Sequence, residues 1–420
     1  MPAFDQDYLA SIAAAAPSWR REQMEAAYRV FTSLEEPTGV EEDWRYVDFA
    51  PRFSDLAPAT EPGSRLEPGP FLSAVTATAG KVSIVDGHVI DQDASGLRLS
   101  RLSELEDGNA LSGGAPVDHN KLTAAHAAFA TDGIVVDVPE GHEMEAPLVV
   151  EVQAATSGVA SYPHLVVRVG TNAGARVLVV YRSEDDLDAL IVPEINLQVG
   201  DGGRLRYLAV QALGHATTSV AHQRITLGRD ATSRVGEVGL GGRLGRLDLG
   251  VDLVGDGASS EVVGLYFGEG DQTMDYRMFI NHQGKSTSSD VFLKGAVEDN
   301  AQSVFTGLLR IEKDARKTST FETNRNLVLS ENAKAHSVPN LEILCDDVVC
   351  GHASSVGPLE EGSLYYLQSR GLAKERAERL LIRGFFQEVI DRLPIEGVEG
   401  PVSEEVFRRF VSAQEEGRVA

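Results

Sequence analysis

The chain has 420 residues, and its 38 Lys and Arg against 63 Asp and Glu leave a formal net charge of −25. With no Lys/Arg-rich block, that balance excludes a basic nucleic-acid binder and a polybasic membrane anchor. Hydrophobic residues at 42% and charged residues at 24% suit a globular chain, and the length allows two or three domains or one long repeat domain.

The 41 glycines and 17 prolines point to many tight turns, and aromatics at 6% leave the core to Val, Leu, Ile and Ala. Two cysteines, Cys345 and Cys350, make no disulfide framework, so a reducing compartment is the default. The acidic start Met-Pro-Ala-Phe-Asp-Gln-Asp has neither the basic nor the apolar region of a signal peptide. No window approaches about 18 uninterrupted apolar residues. The expectation is a soluble, cytoplasmic protein.

The first elements read as helices. Tyr8 to Ala16 is Ala-rich and ends at Pro17; Ser18 is placed to cap a second helix running to about Leu34. Met24, Ala27, Tyr28, Phe31 and Leu34 share one face by 3–4 spacing. Pro37 and Gly39 stop it. After Trp44-Arg45-Tyr46, the prolines at 51, 58, 62, 68 and 70 mark a connector.

From about Thr131 short apolar runs recur between Gly, Asp and Asn. Ile195–Val199 and Leu247–Leu253 alternate cleanly, and no helical pattern intervenes, which rules out a βαβ series. Turns of one kind sit at 171–174, 200–203, 228–231, 255–258 and 331–334, at an irregular period. Such spacing predicts a solenoid of stacked coils, with a β-sandwich as the alternative from texture alone. The domain reading is 1–70, N-terminal helical region and linker; 71–130, connecting segment; 131–357, β-helix core; 358–420, C-terminal helical domain. In the last of these, Ser363–Arg370 and Ala373 to about Leu393 read as helices, with a third, short one around Val406, Phe407 and Phe410. Ala377, Leu380, Leu381, Gly384, Phe385, Phe386 and Val389 form a broad apolar stripe that must be buried on the solenoid or on another protein.

Several chemistries have no support. There is no G-x-x-x-x-G-K-[ST], so the chain is no P-loop ATPase; Gly239–Gly245 only approximates G-x-G-x-x-G and is followed by an alternating run. No G-x-S-x-G or H-E-x-x-H occurs, and most of the ten histidines read as surface or turn residues. One constellation stands out, Cys345-Asp346-Asp347-Val348-Val349-Cys350-Gly351-His352. In an extended segment Cys350 and His352 share a face. Such a pair suits a soft or borderline metal, or a Cys–His nucleophile; a structural cysteine beside an incidental histidine is the plain alternative. Cys345, at odd separation from Cys350, faces the other way in a regular strand.

These residues sit in a longer pattern: Asn326–Ser330, Pro339–Ile343, Asp346–His352, Val356–Leu359, Leu364–Leu372 and Gly384-Phe385. In that order they resemble the SufB/SufD family of iron–sulfur cluster assembly proteins, most strongly over residues 300–395. Phe305-Thr306-Gly307 and the Trp44-Arg45-Tyr46 region fit as well. The Cys-x-His form at 350–352 is that of the SufD branch, although Gly351, Ala353 and Ser354 depart from its usual residues, and Cys345 has no counterpart.

The resemblance implies a mainly β fold: a right-handed parallel β-helix flanked by N- and C-terminal helical domains. It implies a non-catalytic scaffold that pairs with a SufB-like subunit through the β-helix and docks a SufC-like ATPase through its C-terminal helices. The chain itself would bind no nucleotide, and in isolation it could form a homodimer. Cys350 and His352 would be ligands of a transient iron–sulfur cluster shared with the SufB-like partner. Leu364, Tyr365, Leu380, Leu381, Phe385 and Phe386 would face the ATPase. The rivals are a solenoid enzyme acting through clustered carboxylates such as Asp346-Asp347, and an adaptor whose Cys/His pair is inert.

Overall fold

A computed structural model describes residues 3–415, with side chains described for 3–410 except residue 110. Residues 1–2 and 416–420 of the expected terminal domains lie outside that range. The protein is mainly β, a solenoid of about eight turns with helices at both ends of the chain. One sheet runs from Arg98–Arg101 through Ile134–Val138 and every second strand to Lys334–Ile343. The other runs from His88–Ala94 and Gly80–Val85 through Leu148–Gln153 to Val348–Gly357. Among the strands from residue 134 onward every pairing between coils is parallel, which excludes a sandwich of antiparallel strands. The stack reaches upstream of residue 131, because Gly80–Val85 pairs parallel with Leu148–Gln153. Only at this N-terminal end are there antiparallel neighbours, His88–Ala94 and Arg98–Arg101, and they close it.

The corners explain the glycine, aspartate and asparagine. Asn172, Gly202, Asp230 and Gly257 all have φ between +52° and +74°, a region open chiefly to Gly, Asn and Asp. The four turns at 171–174, 200–203, 228–231 and 255–258 therefore stack as one corner. Each left-handed residue donates its N–H to the next coil: Asn172 to Asp201 O, Gly202 to Arg229 O, Asp230 to Asp256 O and Gly257 to Lys285 O. The turn at 331–334 belongs to the opposite corner. The irregular period is real: equivalent atoms lie 28 residues apart at Arg229–Asp201 and 31 at Thr287–Thr318.

Both helical regions cover outer faces of the solenoid. The N-terminal helices Gln6–Ala13 and Ser18–Ser33 join Lys121–Phe129 over the first sheet, packing Phe31, Phe53 and Phe129 onto Tyr162, Val192 and Val220. Ser18 is the first helical residue; Pro17 holds the cap position, and no side chain caps it. The Lys121–Phe129 helix lies in the segment read as a connector. The C-terminal helices Lys374–Ile390 and Glu399–Glu415 cover the second sheet through Ile382, Phe386, Val389, Val406 and Phe410. The last helix has 17 residues, longer than expected. Among the described residues no helix is long and apolar enough to cross a membrane.

Candidate functional site

Among the described residues the coil at the C-terminal end has no successor. Val348–Gly357 pairs on one side only, with Thr318–Val328, and Lys334–Ile343 only with Gln302–Ile311. Both strands leave a row of backbone groups unpaired, a template for another strand. None of the residues in Val348–Gly357 is fully buried.

Which way the Cys/His pair faces follows from register. In Thr318–Val328 the residues Thr318, Thr320, Glu322, Asn324 and Asn326 are buried, whereas Phe321 is 46% exposed, so the even-numbered face lines the solenoid interior. Thr320 pairs with Cys350 and Glu322 with His352. Cys350 and His352 thus continue the interior face, and they meet solvent because no coil closes over them. The structure brings the two together on one face of one strand, as the two-residue spacing predicts.

Behind them the interior turns polar. Residues in register with Cys350 form a hydroxyl ladder: Ser233 Oγ donates to Ser260 Oγ at 2.8 Å, and Ser289 and Thr320 hydroxyls lie 2.5 Å apart. His282 joins it, with Nδ1 2.8 Å from Thr287 Oγ1 and Nε2 2.9 Å from Ser289 Oγ. Deeper, the Tyr266 hydroxyl donates to Asn326 Oδ1 at 2.6 Å, and Asn324 Oδ1 accepts from Asn326 Nδ2 and Ser337 Oγ. Glu322 is the exception. Glu322 is 1% exposed, both its carboxylate oxygens are buried without a hydrogen-bond partner among the described residues, and burial pushes it up to about 8. Gly307 makes room for it, since a Cβ there would lie 2.0 Å from Glu322 Oε2.

Cys345 does not face away. The strand breaks between Ile343 and Val348, so alternation does not carry across. Cys345 lies buried in the intervening corner with Ile311 and Ala315, and Cys350 packs against the same small cluster. The corner also exposes Asp346 and Asp347; the latter's carbonyl accepts from the left-handed Lys317 N–H.

The expected docking residues separate by face. Tyr365 is 74% exposed and Leu380 52%, and Leu364, Leu381 and Phe385 are half-buried. Phe386 is buried instead, packed 6.4 Å from Phe267 of the second sheet, so the inner half of the apolar stripe is spent on the solenoid. Tyr366 and Phe407, which are not among the expected docking residues, extend the exposed apolar set. The histidines also divide: His126, His164, His222 and His282 are buried, not surface residues.

The family model described as "SUF system FeS cluster assembly, SufBD core domain" matches residues 152–385. A SufBD family iron–sulfur cluster assembly protein of Mycobacterium leprae is 32% identical over 325 residues, 74% of this chain and 81% of its own length. The iron–sulfur cluster assembly protein SufD of Bacillus subtilis is 33% identical over 301 residues, 71% of this chain and 68% of its own. That of Escherichia coli is 27% identical over 238 residues, 57% and 56% of the two chains.

Proposed function

This chain belongs to the SufBD family of the SUF iron–sulfur cluster assembly system, and on that premise we propose that it is a non-catalytic, cytoplasmic scaffold subunit. Its open C-terminal coil pairs with the corresponding end of a SufB-like solenoid, and its exposed C-terminal helical face docks a SufC-like ATPase. Cys350 thiolate and His352 imidazole are ligands for a transient iron–sulfur cluster at the joint.

The observation that carries this reading is the placement of Cys350 and His352 on the interior face of a terminal strand with an unpaired edge. A thiolate and an imidazole are suitable ligands for iron in a cluster. A partner strand added to that edge would cover the pair, removing water from a site that is open in the single chain. Glu322 lies one coil in and would meet the cluster only through His352.

The test is a Cys350→Ala, His352→Ala double variant assembled with its ATPase and SufB-like partners. Anaerobic reconstitution with iron and sulfide should yield much less cluster than the parent complex. Assembly at the parent rate rejects the ligand role. Docking is tested apart from this with Tyr365→Asp, Leu380→Asp, which should lose the ATPase in a pull-down; retained binding rejects that surface.

A further inference from the structure

A second set of metal-ligand side chains lies far from the open coil, where the N-terminal helices cover the first sheet. Parallel register places Glu194 beside His164 on adjacent strands, and the Lys121–Phe129 helix lowers His126 onto them. One potential ligand atom from each residue lies within 4.8 Å of the other two. His126 Nε2 is 2.9 Å from His164 Nδ1 and 3.7 Å from Glu194 Oε2. Two atoms each about 2.0–2.1 Å from a tetrahedral zinc are about 3.3 Å apart, so these separations bracket the required one.

The surrounding groups prepare the ligands. His126 Nδ1 lies 2.8 Å from the Val192 carbonyl oxygen, which only accepts. The proton is therefore on Nδ1, and the Nε2 lone pair faces His164 and Glu194. A backbone carbonyl holding the far nitrogen is the usual second support of a metal-bound histidine. His164 Nδ1 then donates to that lone pair, which leaves His164 Nε2 buried and, among the described residues, without a partner. Burial keeps both imidazoles neutral, His126 at about 3 and His164 well below its usual value, so neither must lose a proton to coordinate. Burial pushes Glu194 up to about 7, opposed by the nearby Arg20 guanidinium and the Ala115 N–H, which favour its charged form. The loop carrying Ala115 comes this close because residue 114 is glycine; a Cβ there would lie 2.3 Å from Glu194 Oε1. A cavity of about 530 Å³, lined by Arg20, Gly113, His126, His164 and Glu194 among others, leads to the group and leaves room for water as a fourth ligand.

We infer that His126, His164 and Glu194 form a binding site for a divalent transition-metal ion of the zinc type, a two-histidine, one-carboxylate centre distinct from Cys350 and His352. On binding, the His164 proton moves from Nδ1 to Nε2 and Nδ1 coordinates, so no proton is lost from that ring. The site ties the Lys121–Phe129 helix to two strands, and its occupancy fastens the N-terminal helical region to the solenoid.

The experiment uses the full chain with Cys350→Ala and His352→Ala, stripped with a chelator, so that the open-end ligands do not compete. Titration with Zn²⁺ should show one equivalent bound and a raised melting temperature, with no response to Mg²⁺. Glu194→Gln and His164→Gln should each weaken Zn²⁺ binding by at least about 10–100-fold. X-ray absorption of the Co²⁺-loaded chain should show two imidazoles, oxygen and no sulfur, a readout that needs neither variant to fold. No Zn²⁺ uptake, uptake unchanged in both variants, or a sulfur or all-oxygen shell overturns the assignment.

Discussion

Glu322 lies directly across the strand register from His352, one coil in from the open end, with both carboxylate oxygens buried and, among the described residues, unpartnered. Burial raises it from 4.5 to about 8, so at neutral pH it is largely protonated. A carboxyl whose folded value is raised stabilises the fold fully below the unfolded value and loses that contribution as pH rises through the folded one. Stability attributable to Glu322 should therefore decline between about pH 4.5 and 8. Glu322→Gln keeps the shape and removes the charge. Denaturant midpoints taken across this range should fall for the parent relative to the variant, with the difference flat above pH 8. Parallel curves for the two proteins would show that Glu322 does not titrate in this range.

Gly295 leaves no room for a side chain. Tyr266 and Tyr276 stack at 4.8 Å across the solenoid interior, and a Cβ on Gly295 would lie 1.9 Å from Tyr266 Cε2. Backbone and ring are both held, Tyr266 by its hydrogen bond to Asn326. Gly295→Ala should cost about 1–3 kcal/mol in chemical unfolding, the usual range for an overfilled core. A neutral result would mean that the ring can leave its slot.

How far the sequence carries depends on where the signal is local. The solenoid is legible because its corner residues are: Asn172, Gly202, Asp230 and Gly257 repeat a backbone requirement that few residue types meet. Cys350 and His352 are legible because a two-residue spacing on a strand fixes a shared face. The Lys121–Phe129 helix is not, because seven of its nine residues are buried and no polar face marks its period. Thr318–Val328 reverses the usual code, with Thr, Glu and Asn facing in and Phe321 facing out. The group of His126, His164 and Glu194 has no motif at all, since strand register and helix docking alone bring it together.

The apolar stripe of the Lys374–Ile390 helix should split experimentally as it does structurally. Phe386, 1% exposed against the second sheet, should cost about 3–5 kcal/mol when changed to Ala. Leu380, 52% exposed, should tolerate Asp with a change within about 0.5 kcal/mol. Circular dichroism melts of both variants check this. Equal destabilisation would mean that the outer face is also packed in the free chain and cannot be the docking surface.

Arg246 is a polar anchor of the N-terminal segment. Its side chain is fully buried, with its guanidinium 4.0 Å from the centre of the Trp44 ring. It donates to Asp248, to Asp275 at 2.8 Å and to the Asp43 carbonyl at 2.6 Å. Burial alone would raise Asp248, but the charge and hydrogen bonds of Arg246, together with the nearby His222 and His119, outweigh it and hold the carboxyl at about 2; burial pushes the fully enclosed Asp275 up. Arg246→Met keeps most of the volume but takes the guanidinium from buried Asp248 and leaves buried Asp275 with Arg277 alone, so it should cost about 3–5 kcal/mol. Trp44→Ala should cost a similar amount through the lost ring. Because both changes release the same contact, the double variant should lose less than the two single losses combined. Full additivity in denaturant titrations would show that the stacked pair contributes no coupling, leaving the carboxylates and the Asp43 carbonyl to hold Arg246 in place.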